Sequence, residues 1–159
     1  MTTTLAEIFH HNRWANERLL VACRDLTPQQ FATAVDGTYV ELGSTLRHIV
    51  SAESWYLGLF TGWEPPVRWS RTDPFPGVEP LLERSRFTGD RMIAVAAETP
   101  PDRRIDVDGE PVPAAIVLLQ VINHATEHRS QAATILTQLG IEPPGLSGWA
   151  HGESQGRAR

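Results

Sequence analysis

The sequence predicts an all-α protein that folds as a four-helix bundle with long crossover connections. Four segments have helical periodicity over about 18 to 26 residues each, and stretches rich in proline and glycine separate them. At 159 residues, the chain is long enough for one domain with its own core. The connections are long enough to cross from one side of such a bundle to the other.

The first helix is predicted over residues 5–25, because Thr4 and Glu7 have the spacing of a capping box at its start. Its apolar stripe consists of Leu5, Ile8, Phe9, Leu19, Cys23 and Leu26. Asn12 and Asn16 fall within the same stripe on a helical wheel. These two amides either bond to a neighbouring helix, as buried amides usually do, or line a polar cavity.

The second helix is predicted over residues 44–61, with Ser44 as its N-cap. Apolar residues occupy more of its surface than one stripe, so it is either central in the bundle or packed against a second subunit. We therefore expect a homodimer. The proline-rich loop that follows could cover the excess instead, because it carries Trp63, Trp69 and Phe75.

Proline and glycine residues mark the predicted boundaries of the remaining elements. The loop over residues 62–77 contains four prolines, and a third helix is predicted over residues 78–98. The stretch "RRIDVDGEPV" predicts a short β-hairpin that turns at Asp108 and Gly109. The last helix is predicted over residues 113–140. The bundle is thus expected to occupy residues 1–150, with a frayed tail over residues 151–159.

The composition excludes several classes of function. The formal net charge is −5 and the basic residues are scattered, so no nucleic-acid partner is expected. The sequence has neither an apolar run of membrane-spanning length nor a signal sequence, which favours a cytoplasmic protein without membrane contact. Cys23 is the only cysteine, so an internal disulfide is excluded and any metal site must use histidine or carboxylate ligands.

The stretch "INHATEHRSQ" places His124 and His128 one helical turn apart on the core face of the last helix. Two stacked imidazoles need polar partners in one small volume, and a divalent cation satisfies both at once. His48, on the inward face of the second helix, is the candidate third ligand. Three imidazoles leave a coordination position open for water or substrate. The alternative is that these are unrelated buried or surface histidines.

The other polar residues of the chain have different expected roles. The pair reads "HATEH" without a glutamate after the first histidine, so it does not match the metalloprotease motif. Glu53 is about 140° away from His48 on the helical wheel and is not expected to be a ligand. Residues expected to form the wall of a pocket are Asn12, Asn16, Tyr56 and Gln131. Residues expected to be solvated are His10, His11 and His151. No catalytic residue is identified.

Three segments resemble the DinB/YfiT-like family of metalloenzymes, and together they span most of the chain. They are "HHNRWANERLL", "GSTLRHIVSAESWYL" and "INHATEHRSQAATILTQLGIEPP". The resemblance implies a four-helix bundle with one divalent metal, nickel or zinc, bound by His48, His124 and His128. It also implies homodimers. Relatives include enzymes that use mycothiol or bacillithiol as a cosubstrate for S-transfer or maleylpyruvate isomerisation.

The leading functional hypothesis is therefore a metal-dependent enzyme that uses a low-molecular-weight thiol on a small electrophilic substrate. Two alternatives stay open: a non-catalytic metal-binding, dimerising stress protein, and a metal-dependent hydrolase of a small molecule. Imidazole ligands suit zinc, nickel, copper and iron alike, so the ligands do not identify the metal.

Overall fold

Four long helices form the body of the computed structural model, which describes residues 3–157. The elements are α1 (Thr4–Ala22), α2 (Pro28–Phe31), α3 (Leu42–Thr61), α4 (Val78–Glu98), β1 (Arg104–Val107), β2 (Glu110–Pro113), α5 (Ala114–Gln138) and α6 (Gly148–Ser154). The predicted helical bundle and the hairpin before its last long helix are both confirmed. Within residues 3–157, no helix combines the length and the apolar character needed to cross a membrane.

The long helices form a square in which consecutive helices are not always neighbours. α1 packs against α4 and α5, and α3 packs against the same two helices. α1 therefore lies diagonally opposite α3, and α4 lies opposite α5. Two connections must cross the bundle as a result: residues 23–41 with α2, and residues 99–113 with the hairpin. This explains the length of these two connections.

Both apolar sides of α3 are buried within one chain. On one side of the helix, Leu46 belongs to a first core cluster and Leu57 to a second one. On the other side, Ile49 belongs to the first and Tyr56 to the second, and all four residues are buried. From the proline-rich loop, Trp69 and Phe75 pack against the first cluster and Trp63 packs against the second. The apolar excess on this helix is thus explained without a second subunit, and the homodimer stays a prediction.

The helix boundaries differ from the predicted ones by small shifts that the caps explain. The N-cap of α1 is Thr3, whose Oγ1 accepts a hydrogen bond from the Ala6 amide at 3.1 Å. Thr4 is therefore the first helical residue, and the predicted capping box with Glu7 is not formed. α3 begins at Leu42 rather than Ser44, and α5 ends at Gln138. Shifts of this size are usual at frayed helix ends.

The inner face of α1 is centred on Phe9, Asn12 and Asn16, which are all buried. Leu5 and Ile8, which the helical wheel placed in the apolar stripe, are 36% and 42% exposed. Ile8 lies at the edge of the buried face, whereas Leu5 lies in line with the two asparagines but in the first turn of the helix.

The predicted frayed tail is wrong for residues 151–157, because α6 docks on α1. His151 is 8% exposed and packs against Trp14, with ring centroids 5.1 Å apart. His11 donates from Nε2 to the Leu146 carbonyl at 2.8 Å, so it is also packed rather than solvated. His10 is exposed, as predicted. Residues 158 and 159 lie outside the described residues.

Candidate metal centre

The structure brings together the three histidines that the sequence singled out. His124 and His128 lie on one face of α5, and His48 faces them from α3. One nitrogen atom of each ring lies within 4.8 Å of the others. The Nε2 atoms of His48 and His124 are 2.9 Å apart. The cluster exists because α3 and α5 are neighbours in the bundle and the histidine-bearing faces of both point toward that contact.

A glutamine one turn along α5 determines which nitrogen of His128 is available. The Nδ1 atom of His128 lies 2.8 Å from Oε1 of Gln131, so the ring donates its Nδ1–H to this amide oxygen. This tautomer leaves the Nε2 lone pair free, which is how metal-binding histidines are commonly oriented. Gln131 was predicted as a wall residue, and the structure places it in direct contact with a candidate ligand.

The surroundings of His48 and His124 favour the neutral form of both imidazole rings. Burial, then the neighbouring His124 and His128 and finally Arg71, lower the pKa of His48 to about 4. Burial and His128 lower the pKa of His124 to about 4 in the same way. Both rings are therefore neutral near pH 7 and offer lone pairs. Three imidazoles within a few ångströms of one another fit a divalent transition metal well.

Two tyrosines complete the surroundings of the histidines. Tyr39 stacks on His48 with ring centroids 4.7 Å apart and meets His128 edge-on at 4.8 Å. Sequence reasoning missed Tyr39 because it lies in the irregular segment between α2 and α3, where no periodicity indicates a direction. Tyr56, a predicted wall residue, lies 6.1 Å from His124 between ring centroids, and burial raises its pKa.

A cavity of about 270 Å³ opens beside His48, between the start of α3 and the proline-rich loop. The loop is held in place by Arg47, which is buried and donates to the carbonyl oxygens of Arg71 at 3.0 Å and Pro74 at 3.3 Å. Backbone carbonyls of the loop thus provide hydrogen-bond acceptors for the guanidinium group that α3 buries. One side of the histidine cluster is consequently open to a small molecule.

The comparisons with known proteins agree with this fold. The model of the DinB family matches residues 1–158. The chain belongs to the DinB family. Among solved structures, a DinB-like protein from Bacillus cereus is 23% identical with a TM-score of 0.66, and the match covers 86% of this chain and 91% of that one.

A second DinB-like protein, from Bacillus subtilis, is 13% identical with a TM-score of 0.63, and the match covers 91% of this chain and 99% of that one. At these identities the structural likeness shows the fold alone. The curated proteins yield no significant match.

In this DinB-family chain, Asn12 and Asn16 do not line the cavity beside His48. Their amide nitrogens donate to Oε2 of Glu53 at 3.0 and 3.3 Å, and their amide oxygens each accept a bond of 2.6 Å from Arg129. They therefore bridge a buried carboxylate on α3 and a buried guanidinium on α5. Of the two alternatives for these amides, the structure shows bonding to neighbouring helices.

Glu53 lies at the centre of this buried network and is not part of the histidine cluster. Its other oxygen accepts from the Thr88 hydroxyl at 2.6 Å, which adds α4 to the network. Burial raises the pKa of Glu53 to about 7, although the hydrogen bonds and the charge of Arg129 act in the opposite direction. The signal available in the sequence was the pair of asparagines in an apolar stripe, which require polar partners opposite them.

Proposed function

We propose that this DinB-family protein is a divalent-metal-dependent enzyme that joins a low-molecular-weight thiol to a small electrophilic substrate. The observation that supports it best is the combination of three clustered imidazoles with a cavity that reaches one of them, His48. A structural metal site is closed by protein ligands, whereas a catalytic one keeps a position open. Nickel and zinc are the proposed metals, since both accept imidazole ligands.

The chain's own groups each have a defined task in this proposal. His128 presents Nε2 because Gln131 holds its Nδ1–H, and Tyr39 fixes the ring of His48 by stacking on it. His48, His124 and His128 would hold the divalent cation, which would lower the pKa of a thiol or a water molecule beside it. The thiol sulfur forms a bond to the electrophilic carbon, the leaving group departs with its electron pair, and the thiol proton passes to solvent.

The first experiment measures metal binding. Purified protein loaded with nickel or zinc should retain one equivalent by elemental analysis. The His124→Ala variant should bind the metal at least about 100-fold more weakly, because one of three ligands is lost. His10→Ala is the matched control, because His10 is exposed on α1. Unchanged metal affinity in His124→Ala would refute the site.

The second experiment separates the candidate reactions. The loaded protein is incubated with bacillithiol or mycothiol and an aryl halide, and in parallel with ester and amide substrates. Formation of the thioether by the loaded protein but not by His124→Ala supports thiol transfer. Turnover of the ester or amide alone would instead identify a hydrolase. No turnover in either panel would favour the non-catalytic metal-binding protein.

A homodimer is part of the proposal. Support for the dimer comes from α5, where Ile116 and Leu119 are 55% and 63% exposed. Large apolar side chains exposed on one helix are typical of an interface with another chain. Light scattering at micromolar concentration should give twice the mass of the chain, and Leu119→Lys should shift the protein toward the monomer. A wild-type mass equal to one chain would reject the dimer.

A further inference from the structure

A second and larger cavity lies beside the one that reaches His48. It has a volume of about 430 Å³ and lies between α3, the proline-rich loop and α4. Three of the chain's five tryptophans line it, namely Trp55, Trp63 and Trp69. A volume of this size, with mainly aromatic and apolar walls, is typical of a site for a small organic molecule.

The two cavities adjoin along α3. Ser51 and Trp69 line both of them, and Ser51 lies one helical turn after His48. A molecule in the tryptophan-lined cavity can therefore extend past Ser51 toward the histidines. This continuity connects the larger cavity to the candidate metal centre.

Ser51 also carries a polar group that the protein leaves without a partner. Its Oγ atom is buried and forms no hydrogen bond within residues 3–157. Ser54, on the same helix and in the wall of the same cavity, instead donates to the Val50 carbonyl at 2.8 Å, as a helical serine commonly does. A buried hydroxyl without a partner costs free energy, and a rotation about the Cα–Cβ bond is needed before the Ser51 hydroxyl can bond to a ligand in the cavity.

The charges on the wall are unbalanced. Arg84 of α4 lies over the rings of Trp69 and Trp63, at 4.7 and 5.8 Å from their centroids, and donates to a loop carbonyl at 3.2 Å. No carboxylate in residues 3–157 forms an ion pair with it. The other charged residues of the wall, Arg68 and Glu64, pair with each other at 2.8 Å. One guanidinium therefore remains available to an anionic group.

We infer that the tryptophan-lined cavity binds a small aromatic carboxylate that is the substrate, or an analogue of the substrate, of the proposed enzyme. Its ring packs among the tryptophans, its carboxylate pairs with Arg84, and its opposite end passes Ser51 toward His48. Planar rings suit tryptophan faces, and a guanidinium is the preferred partner of a carboxylate. The orientation of the ligand, with one end toward His48, rests on the proposed function. Its binding in the cavity does not.

The test uses naphthalene-2-carboxylate as the probe and 2-naphthalenemethanol as its neutral counterpart. Calorimetric titration of the full chain should show that Arg84→Gln raises the Kd of the carboxylate about tenfold and leaves the Kd of the alcohol within about twofold. Trp63→Leu should weaken both probes. Arg86→Gln, on the exposed side of the same helix where Arg86 pairs with Glu17 at 2.5 Å, should change neither. Equal binding of the carboxylate by wild type and Arg84→Gln, or no binding by wild type, would overturn the inference.

A second readout places the ligand relative to the histidines. In protein loaded with cobalt(II), the NMR signals of the bound carboxylate should broaden, and the broadening should vanish in His124→Ala. Sharp signals in cobalt-loaded protein would overturn the placement while leaving the metal site intact. Failure of cobalt to bind would refute the proposed function, whereas dependence of carboxylate binding on Arg84 would still support the cavity.

Discussion

At the scale of single residues, orientation of the candidate ligands matters as much as their identity. Each ring of the cluster offers two nitrogens, and only the correct one can face a shared ion. Gln131 selects the nitrogen of His128 by accepting the Nδ1–H at 2.8 Å. Tyr39 restrains His48 by stacking at 4.7 Å. A site with the same three histidines but without these neighbours would hold a metal less tightly.

Replacing Gln131 tests this orientation. Gln131→Leu removes the acceptor for the Nδ1–H of His128, so we expect metal affinity to fall by about 10- to 100-fold while the fold is retained. The measurement is competition with a chelator of known affinity, followed by elemental analysis. Gln138→Leu is the control, because Gln138 is exposed at the end of α5. Equal losses in both variants would show that the effect is not specific to His128.

At the scale of secondary-structure elements, α1 and α4 approach each other closely at Gly89 of α4. A Cβ atom at Gly89 would lie 2.6 Å from Cγ and 3.0 Å from Cβ of Arg13. Alanine normally stabilises a helix by about 1 kcal/mol relative to glycine. At this position the Cβ and Cγ atoms of Arg13 on α1 occupy the space that the added methyl group needs.

Gly89→Ala should therefore destabilise the protein, against the usual preference for alanine in helices. We expect the free energy of unfolding to fall by about 1 to 3 kcal/mol, the usual cost of overpacking. Urea denaturation followed by circular dichroism measures it. The double variant that also contains Arg13→Ala should recover most of the loss, and stabilisation by Gly89→Ala alone would contradict the close packing.

The short helix α6 is stabilised by contact rather than by its own propensity. A helix of seven residues is too short to be stable alone. His151, packed against Trp14, is the buried residue through which it docks.

Two substitutions on α6 distinguish docking from local propensity. His151→Ala should lower the free energy of unfolding by about 1 to 2 kcal/mol, because a packed ring is lost. Trp149→Ala should change it by less than about 0.5 kcal/mol, since Trp149 is 77% exposed. Urea denaturation of both variants provides the comparison. A larger loss for Trp149→Ala would place the docking contact on the other face of the helix.

At the scale of the whole molecule, one polar network connects the four long helices. Glu53 on α3 and Arg129 on α5 are 3% and 4% exposed, and the asparagines of α1 and Thr88 of α4 lie between or beside them. A buried charge that loses its partner is strongly destabilising, by about 3 to 5 kcal/mol. Arg129→Met should therefore unfold the protein at a much lower denaturant concentration than wild type.

The pKa of Glu53 makes a contribution to stability that depends on pH. Its pKa is raised from an ordinary value of 4.5 to about 7 in the fold. Between these two values the folded state binds more protons than the unfolded state at this group. The contribution of Glu53 to the free energy of unfolding is therefore fully present below about pH 4.5 and falls as pH rises through 7, by an amount on the order of 3 kcal/mol.

This contribution can be isolated by comparing wild type with Glu53→Gln in metal-free protein. Half-buried His48 and His124 titrate in an overlapping range with the opposite sign, but they are common to both proteins and cancel in the difference. The stability of wild type relative to the variant should decrease steadily from pH 4.5 to pH 7. A difference that is constant over this range would mean that Glu53 titrates normally in the fold.

The sequence by itself determined the number of long helices, the hairpin and the direction of the three candidate ligands. Periodicity carries this information because a helix repeats every 3.6 residues, so inward-facing positions can be identified before the neighbouring helix is known. His124 and His128 were therefore placed on one face correctly. The motifs around them were also sufficient to indicate the DinB family.

Only the tertiary structure decided which elements meet. Periodicity identifies a buried face but not the partner that covers it, which is why α3 was equally compatible with a central position and with a second subunit. Asn12 and Asn16 needed polar partners, yet the choice of Glu53 and Arg129 depends on the diagonal arrangement of the helices. Tyr39 lies in an irregular segment, and α6 is too short to be stable alone. The positions of both therefore depend on contacts with the rest of the fold.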